Sequence, residues 1–387
     1  MGNCDSSVEN RRKHFSKNSQ LENAKYTSKS SFLLSHPDYF SLKLSENKNS
    51  QSNLKKYYSV EERNINNKNI YILPETIAKR EDITKKYRIT NQILGDGATS
   101  IVYLGENFVK EQFAIKRIPK DKIEVQKKII LKEAEISMFL NNKNIIKCYE
   151  IYEDMNFVSS VMELGETDLF ELIVHSPLGF VPEEIAIDFL LQIFEVIDYL
   201  HSKVNIVHCD IKPENFVVKF DKRKDKKPTL KLIDFGNIRR KPMNNEKLFN
   251  FSGTKEYMAP ETLENSGFNE KVDVWAAGVI MFNMLTGSDP FVGPNHTDEE
   301  YRDNIKFKEI KFEYIKNLRL RELNKKLLNR YLAKRISAKE AFDELKRIKY
   351  DLLYNNSLNK DNSLNDFGNK WNYFNNKIPM IGIPSNM

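Results

Sequence analysis

The residues best suited to chemistry lie in the segment HCDIKPEN, which runs from His208 to Asn215. It places a carboxylate at Asp210, a lysine two residues later at Lys212 and an amide at Asn215. A carboxylate can orient and deprotonate a hydroxyl, an ammonium can offset phosphate charge, and an amide oxygen can bind Mg²⁺. The types and spacing of these groups therefore indicate phosphoryl transfer.

A further carboxylate follows Asn215 by nineteen residues, at Asp234 in the sequence LIDFG. The residues before it form an apolar run typical of a strand. A carboxylate at the end of a strand suits a cation that bridges phosphates. Asn215 and Asp234 are therefore the predicted metal-binding residues.

A glycine-containing loop lies upstream, in the sequence LGDGATSIV between two predicted strands. Glycine lets the backbone approach a phosphate more closely than a side chain would permit. The pattern lacks the third glycine of G-x-G-x-x-G, and a tight hairpin would have a similar sequence. The residues of this candidate nucleotide loop are Leu94, Gly95, Asp96, Gly97, Ala98, Thr99, Ser100, Ile101 and Val102.

The strand after this loop ends in the sequence FAIK, at Lys116. Its ammonium could reach the phosphates of a nucleotide if a carboxylate held it in place. A helical pattern over 124–140 offers Glu133 or Glu135 for that role. An isolated lysine on a strand is more often a solvated charge at a sheet edge. The assignment of Lys116 to phosphate binding therefore depends on the motifs around it.

The elements that must position these groups appear in a definite order. Residues 87–118 alternate as strands do, and further strand-like runs follow at 145–152 and 157–163. After Pro182 the apolar residues recur with helical spacing, at Ile185, Phe189, Ile193, Ile197 and Leu200. The chain beyond Asn269 is predicted to be mostly helical. This order predicts an α+β chain, with a small sheet lobe followed by a larger helical lobe.

The stretch from about residue 84 to 350 closely resembles the eukaryotic protein kinase family. The shared motifs, in order, are the glycine loop, AIK, HCDIKPEN, DFG, GTKEYMAPE ending at Glu261, and DVWAAGV at Asp273. Arg335 resembles the late arginine that pairs with the glutamate of APE, here Glu261. Each motif alone is modest, but the ordered set is highly specific.

This resemblance implies a bilobal protein kinase fold, with lobes at about 84–162 and 166–350 and with ATP and Mg²⁺ as cofactors. Lys116, Asp210 and Lys212 would be catalytic, and Glu133 is the favoured partner of Lys116, because it lies nine residues before the family's His position at Asn142. The implied contacts with the nucleotide also include Met162, Glu163, Gly165 and Asp168.

The branch implied by the resemblance is the serine/threonine kinases, because Lys212 and the Gly253–Thr254 pair match that branch. Glu214 lies where basophilic kinases place a carboxylate facing a substrate arginine, so Glu214 and Thr254 are the expected substrate-binding residues. The implied partners are protein substrates with basic residues near the phosphosite. The overall pattern of motifs resembles that of calcium/calmodulin-dependent and calcium-dependent protein kinases. No EF-hand pattern occurs in the sequence, however.

Two departures from the family pattern concern control by phosphorylation. Cys209 replaces the arginine that usually precedes the catalytic Asp and can pair with a phosphorylated activation loop. The usual phosphosite, three residues before the glycine of GT, is Asn250. Since both halves of this switch are replaced, we expect activity without loop phosphorylation, unless another site such as Ser252 is used.

Both ends of the chain have a different composition. Residues 1–83 contain 24 Asn or Ser but only 17 Leu, Ile, Val or Phe, a composition that predicts a largely disordered arm with a local element near 70–77. Residues 351–387 carry 10 Asn and form an Asn-rich tail. Of the formal net charge of +7, residues 1–86 carry +6, which disfavours a uniformly basic nucleic-acid surface.

The amino terminus matches M-G-x-x-x-[ST], the acceptor pattern for myristoylation at Gly2. Cys4 is positioned for a palmitoyl chain, and Arg11, Arg12 and Lys13 follow as a basic cluster. A second signal is needed because one myristoyl chain binds membranes only marginally. The expected location is the cytoplasmic face of a membrane, together with the cytoplasm. Chance occurrence of the pattern in a polar tail is the alternative.

Other features limit the class of protein further. The three cysteines lack metal-ligand spacing, so a zinc site and a disulfide framework are not expected. The longest apolar stretch, about Val272–Leu285, is too short for a bilayer span of about 20 residues. The leading prediction is an active serine/threonine kinase. The alternatives are a membrane-tethered pseudokinase scaffold and a small-molecule kinase, the latter disfavoured by the APE and DVWAAGV motifs.

Overall fold

The computed structural model describes residues 61–65, 68–72, 78–97, 100–120, 136–220, 227–243, 246–291 and 297–358. These residues divide into two compact units. The sheet unit contains the described residues of 61–166 together with Ile233–Gly236. The helical unit contains those of Thr167–Leu232 and 237–358. The predicted α+β class is therefore confirmed, with a β-rich amino-terminal region and a helical carboxy-terminal region.

The sheet unit is built around six strands in the order β3-β7-β8-β6-β5-β4. All neighbouring strands are antiparallel except β3 and β7, which are parallel. A separate hairpin precedes them, formed by β1 (Glu61–Ile65) and β2 (Lys68–Ile72). The six strands are β3 (Ala78–Lys79), β4 (Tyr87–Asp96), β5 (Ile101–Asn107), β6 (Gln112–Pro119), β7 (Cys148–Glu153) and β8 (Phe157–Met162).

Apolar residues alternate along these strands, and their side chains on one face of the sheet form a hydrophobic cluster. Ile115 of β6 and Val161 of β8 are directly opposite in the register and are fully buried. The cluster consists of Ile83, Tyr87, Ile115, Tyr152 and Val161. Because successive side chains on a strand alternate between faces, Lys116, which directly follows Ile115, lies on the other face of the sheet.

The described part of the sheet unit includes residues that precede residue 84. Ala78 of β3 is buried, and the ammonium of Lys79 bonds Glu150 of β7 at 2.8 Å. Glu150 also accepts from Lys86 at 2.6 Å and from two tyrosine hydroxyls. Burial alone would raise the pKa of Glu150, but these hydrogen bonds outweigh it and lower the pKa to about 2. This carboxylate therefore ties the segment before residue 84 to the sheet.

The helical unit contains seven α-helices and five short strands among its described residues. The helices are α1 (Leu169–Val174), α2 (Glu183–Asp198), α3 (Pro260–Leu263), α4 (Lys271–Thr286), α5 (Asp298–Phe307), α6 (Leu318–Leu327) and α7 (Ala338–Leu358). The strands are β9 (Thr167–Asp168), β10 (Ile206–Val207), β11 (Phe216–Lys219), β12 (Thr229–Leu232) and β13 (Arg239–Arg240). Helix α7 extends beyond residue 350, the predicted end of the domain.

The core of this unit is formed by α2 and α4. The apolar face predicted for α2 is confirmed, since its residues are at most 2% exposed. Helix α4 is buried on all sides, which explains why Val272–Leu285 reads as a continuous apolar run. Within the part of the chain that the structure describes, no helix combines the length and apolarity needed to cross a membrane.

The predicted pair of Arg335 and Glu261 is confirmed. The guanidinium makes two parallel bonds to the carboxylate, at 2.6 and 2.9 Å, and both residues are buried. Arg335 also donates to the carbonyls of Asn329 and Lys271. The pair joins the end of the segment carrying GTKEYMAPE to the start of α4 and to the loop before α7.

Candidate active site

The segment from His208 to Asn215 is positioned by one carboxylate of the buried helix α4. Asp273 accepts from the backbone N–H of His208 at 2.8 Å through Oδ2 and from that of Cys209 at 2.9 Å through Oδ1. The ring of His201 contacts Oδ2 at 2.8 Å. Cys209 has a φ of 66°, a left-handed conformation that costs free energy for a residue with a Cβ. Asp273 therefore holds a strained backbone directly before Asp210.

Asp210 uses its two carboxylate oxygens differently. Oδ1 accepts from both the backbone N–H and the hydroxyl of Thr254, at 3.0 and 2.8 Å. Oδ2 lies 3.4 Å from the ammonium of Lys212 and 3.3 Å from the amide nitrogen of Asn215. The position and rotamer of the carboxylate are thus set from two sides. Oδ2 faces Lys212 and Asn215, on the side where a substrate hydroxyl could bind.

Lys212 and Thr254 are themselves in contact, since the ammonium donates to the threonine hydroxyl at 2.8 Å. This hydroxyl accepts from Lys212 while it donates to Asp210. A chain of hydrogen bonds therefore connects the predicted base, the predicted phosphate-stabilising cation and the predicted substrate-binding residue. These groups are 44 residues apart at most in sequence.

Asn215 fits the predicted role of a cation ligand. Its amide nitrogen donates to the carbonyl of Asp210 at 2.8 Å, which fixes the orientation of the amide group. With the nitrogen used as a donor, the amide presents its oxygen Oδ1 as an acceptor. Oxygen ligands of this kind are the ones that Mg²⁺ prefers.

The sheet unit carries the predicted nucleotide loop and lysine. Gly95 pairs with Val102 in the register, and the N–H of Gly97 donates to the carbonyl of Ser100 at 2.9 Å. A Cβ added at Gly95 would meet no atom closer than those of Val102 at 3.9 Å. Packing within the protein therefore does not demand glycine there, and the bare backbone leaves room of the kind a phosphate needs.

Lys116 lies in the interior strand β6, between Val102 of β5 and Ser160 of β8. It is not the edge-strand lysine that the alternative interpretation required. The segment that follows β8 continues the pairing, since the N–H of Glu163 donates to the carbonyl of Lys147 at 2.9 Å. Met162 pairs with Ala114 of β6. Of the residues predicted to contact the nucleotide, Met162 thus ends β8, and Glu163 and Gly165 follow it in the chain.

Asp234 groups with the sheet unit, as part of Ile233–Gly236. Its φ is 65°, so Asp234, like Cys209, is a non-glycine residue with a left-handed backbone. Oδ1 accepts from the N–H of Gly236 at 3.1 Å, and the neighbouring Phe235 is buried. In this tight turn the side chain of Phe235 is buried while the carboxylate of Asp234 is exposed, an arrangement that suits a metal ligand.

Two other predicted site carboxylates have perturbed acidity. Burial raises the pKa of Asp168 to about 6. The backbone N–H of Glu171 donates to Oδ1 of Asp168 at 2.8 Å, and this hydrogen bond opposes the rise. Burial raises the pKa of Glu214 to about 7, with Lys212 as the main opposing charge. The Oε2 atom of Glu214 is buried and has no hydrogen-bond partner. A buried carboxylate oxygen without a partner is costly unless a donor or a cation binds it.

Some predicted residues lie outside the described ranges. These are Ala98 and Thr99 of the loop, the helix glutamates Glu133 and Glu135, and the lipidation sites Gly2 and Cys4. The choice between Glu133 and Glu135 stays a prediction. Conversely, His201 and Asp273 were not among the predicted site residues. An aspartate inside the apolar run of α4 was the available signal, because buried carboxylates are retained only with partners.

Comparisons with known proteins find similarity over the same part of the chain as the motifs. Residues 88–345 match the family described as protein kinase domain. Serine/threonine-protein kinase D2 of Homo sapiens is 35% identical over 235 residues, 59% of this chain and 26% of that protein. Serine/threonine-protein kinase DCLK3 of Mus musculus is 35% identical over 221 residues, 57% of this chain and 27% of that protein. The chain thus spans about a quarter of the length of these curated relatives.

Proposed function

This chain belongs to the protein kinase domain family, and on that premise we propose that it transfers the γ-phosphate of ATP to serine and threonine hydroxyls of proteins. The observation that carries the proposal is the cluster around Asp210. One carboxylate oxygen is held by Thr254, and the other faces Lys212 and Asn215. Few arrangements other than phosphoryl transfer need a base, a cation and a cation ligand at one point.

Each residue of the cluster has a defined task in the proposed reaction. Asp210 Oδ2 orients the substrate hydroxyl and accepts its proton, while Oδ1 stays bound to Thr254. Lys212 offsets negative charge on the phosphate, and its bond to Thr254 fixes the position of its ammonium. Asn215 and Asp234 are each a proposed ligand of Mg²⁺, which would supply neutralisation of the phosphate charge.

The nucleotide would be bound by residues of several segments. The loop with Gly95 and Gly97 would cover the phosphates with bare backbone, and Lys116 would pair with them as a cation. The family resemblance implies the backbone of residues 162–165 as the contact for the base and Asp168 as the contact for the ribose. In support, Lys116 is on an interior strand, and Asp168 has one carboxylate oxygen fixed by the backbone of α1.

The proposed substrates are proteins with an arginine near the phosphosite. Glu214 supports this preference, because its buried Oε2 has no partner and its pKa is raised to about 7 by burial. A guanidinium would satisfy that oxygen and return the charged form to the carboxylate. The same residue would be a poor partner for an acidic peptide.

The test is phosphate transfer from ATP·Mg²⁺ to a peptide library, with Asp210→Asn as the control. The proposal predicts labelled serine and threonine peptides, no labelled tyrosine peptides, and a large loss in Asp210→Asn. Nucleotide binding without transfer to any peptide would instead favour a scaffold that binds ATP without catalysis. Labelling of small hydroxylated metabolites alone would favour a small-molecule kinase.

We propose in addition that the amino terminus attaches the kinase to the cytoplasmic face of a membrane. The supporting features are the acceptor pattern at Gly2, the thiol at Cys4 and the net charge of +6 in residues 1–86. Two acyl chains, or one chain with basic residues worth about 1 kcal/mol each near an anionic surface, suffice for stable attachment. Gly2→Ala should release the protein into the soluble fraction, and unchanged membrane attachment would contradict the proposal.

A further inference from the structure

The segment Lys247–Thr254 leads directly to the catalytic cluster, and it is fastened to a second segment, Asn265–Phe268. Leu248 and Phe268 exchange both backbone hydrogen bonds, at 2.8 and 2.9 Å. The ammonium of Lys247 donates to the carbonyl of Ser266 at 3.1 Å. Two chain segments some 20 residues apart therefore form a short antiparallel bridge, without being part of a sheet.

The bridge continues through the side chain of Asn265. Its Oδ1 accepts from the backbone N–H of Asn250 at 3.1 Å, and the carbonyl of Asn250 accepts from the guanidinium of Arg239 at 3.4 Å. Asn250 and Asn265 both have left-handed backbones, with φ of 55° and 49°. Asparagine tolerates this conformation better than most residues. Both polar groups of the Asn250 peptide backbone are thus bound by side chains.

Aromatic packing and close backbone contact carry the connection to Asp210. The ring of Phe251 meets that of Phe268 edge to face, with centroids 5.2 Å apart. Gly253 then passes so near the catalytic loop that a Cβ there would lie 2.4 Å from the carbonyl oxygen of Cys209. The next residue is Thr254, which makes both bonds to Asp210 Oδ1.

We propose that Asn265 and Phe268 are positioning residues, which clasp the segment Lys247–Thr254 and thereby place Thr254 against Asp210 without any phosphate. This regulatory assignment rests on the proposed kinase function. The clasp consists of uncharged groups apart from the ammonium of Lys247 and the guanidinium of Arg239, and both cations are bonded to backbone carbonyls. The segment is therefore held in its unmodified form.

The decisive variant is Asn265→Gly in the full chain. Glycine adopts a φ of 49° freely, so the substitution removes the side-chain acceptor and keeps the local backbone. Asn265→Asp retains a side-chain oxygen and serves as the rescue variant. Asn317→Ala serves as the stability control, because it removes the cap of α6 in the same unit and costs about 1 kcal/mol without touching the clasp.

Hydrogen exchange of the amides in 247–254 is the first measurement, since it requires no catalytic activity. We expect Asn265→Gly to accelerate their exchange about tenfold, with wild-type rates in Asn265→Asp and Asn317→Ala. In peptide phosphorylation, we expect kcat to fall about tenfold in Asn265→Gly, while the Kd for ATP stays within twofold. Phosphatase treatment of the wild type should leave kcat unchanged.

The failures of the two proposals are distinguishable. A wild type that phosphorylates no peptide overturns the proposed function, and the exchange rates still decide on the clasp. Unchanged exchange in Asn265→Gly overturns the clasp. An equal loss of kcat in Asn317→Ala, or a large loss after phosphatase treatment, also overturns it, because the effect would then follow stability or a phosphate.

Discussion

Thr254 donates both its backbone N–H and its hydroxyl to the same oxygen of Asp210, Oδ1, at 3.0 and 2.8 Å. Two donors on one oxygen leave the other, Oδ2, to face a substrate. They also restrict the rotation of the carboxylate about its side-chain torsions. The contact joins the predicted base to a segment that lies 44 residues further along the chain.

The first prediction concerns the hydroxyl of Thr254. Thr254→Val keeps the branched shape and the backbone N–H but loses the hydroxyl that bonds Asp210 and Lys212. We expect kcat for peptide phosphorylation to fall about 100-fold, in line with the loss of one preorganised polar group. Thr254→Ser keeps the hydroxyl and should retain most of kcat. Equal rates for the valine and serine variants would show that the hydroxyl has no role.

The second prediction concerns the buried carboxylate of Asp273. In Asp273→Asn, one acceptor oxygen becomes an NH₂ group that faces the N–H donors of the catalytic loop. A buried unsatisfied donor costs about 1–3 kcal/mol, so the free energy of unfolding should fall by about 3 kcal/mol and activity should be lost. Denaturant unfolding measures this. Asp303→Asn, on the exposed surface of α5, is the matched control and should be neutral.

The third prediction separates the charge from the packing of Arg335 and Glu261. Arg335→Met leaves a buried, unpaired carboxylate and should lower the free energy of unfolding by about 3–5 kcal/mol. Replacing both residues by methionine removes that charge and should cost clearly less than the single change. Thermal and denaturant unfolding of the wild type and of these two variants tests this. A double variant less stable than Arg335→Met would mean that the ion pair is not the main contribution.

The fourth prediction is a pH dependence of substrate choice. Because burial raises the pKa of Glu214 to about 7, the carboxyl is neutral below that pH and charged above it. Preference for an arginine peptide over its alanine counterpart should be about tenfold or more in KM at pH 8 and should shrink towards pH 6. Glu214→Gln should show little preference at either pH. A preference that persists in Glu214→Gln would assign arginine recognition to other residues.

Much of the fold follows from patterns that are local in sequence. The spacing of apolar residues from Ile185 to Leu200 predicts the buried face of α2 and of the π-helical turn Tyr199–Val204 that continues it. The alternation over 87–118 predicts β4, β5 and β6. Short strands that depend on distant contacts are harder to predict. β3 has only two residues, and it is stabilised by Glu150, about 70 residues away in the chain. No local sequence pattern therefore predicts this strand.

The site shows the same division. The types and order of Asp210, Lys212 and Asn215 indicate their chemistry from sequence alone. The left-handed backbone of Cys209 and the two bonds from Asp273 depend on long-range packing that residue types do not encode. The bond between Asn265 and Asn250 is likewise invisible, because two asparagines in a polar segment carry no distinct pattern.

The central claim is that Asp210 acts as the base in phosphate transfer from ATP to a hydroxyl. The most direct test is the single-turnover rate of labelled γ-phosphate transfer to a serine peptide, measured for the full chain and for Asp210→Asn at saturating ATP·Mg²⁺. The account predicts a rate about 10²–10⁴ times lower in Asp210→Asn, with the Kd for ATP within twofold of the wild type. Equal transfer rates in the two proteins would contradict it.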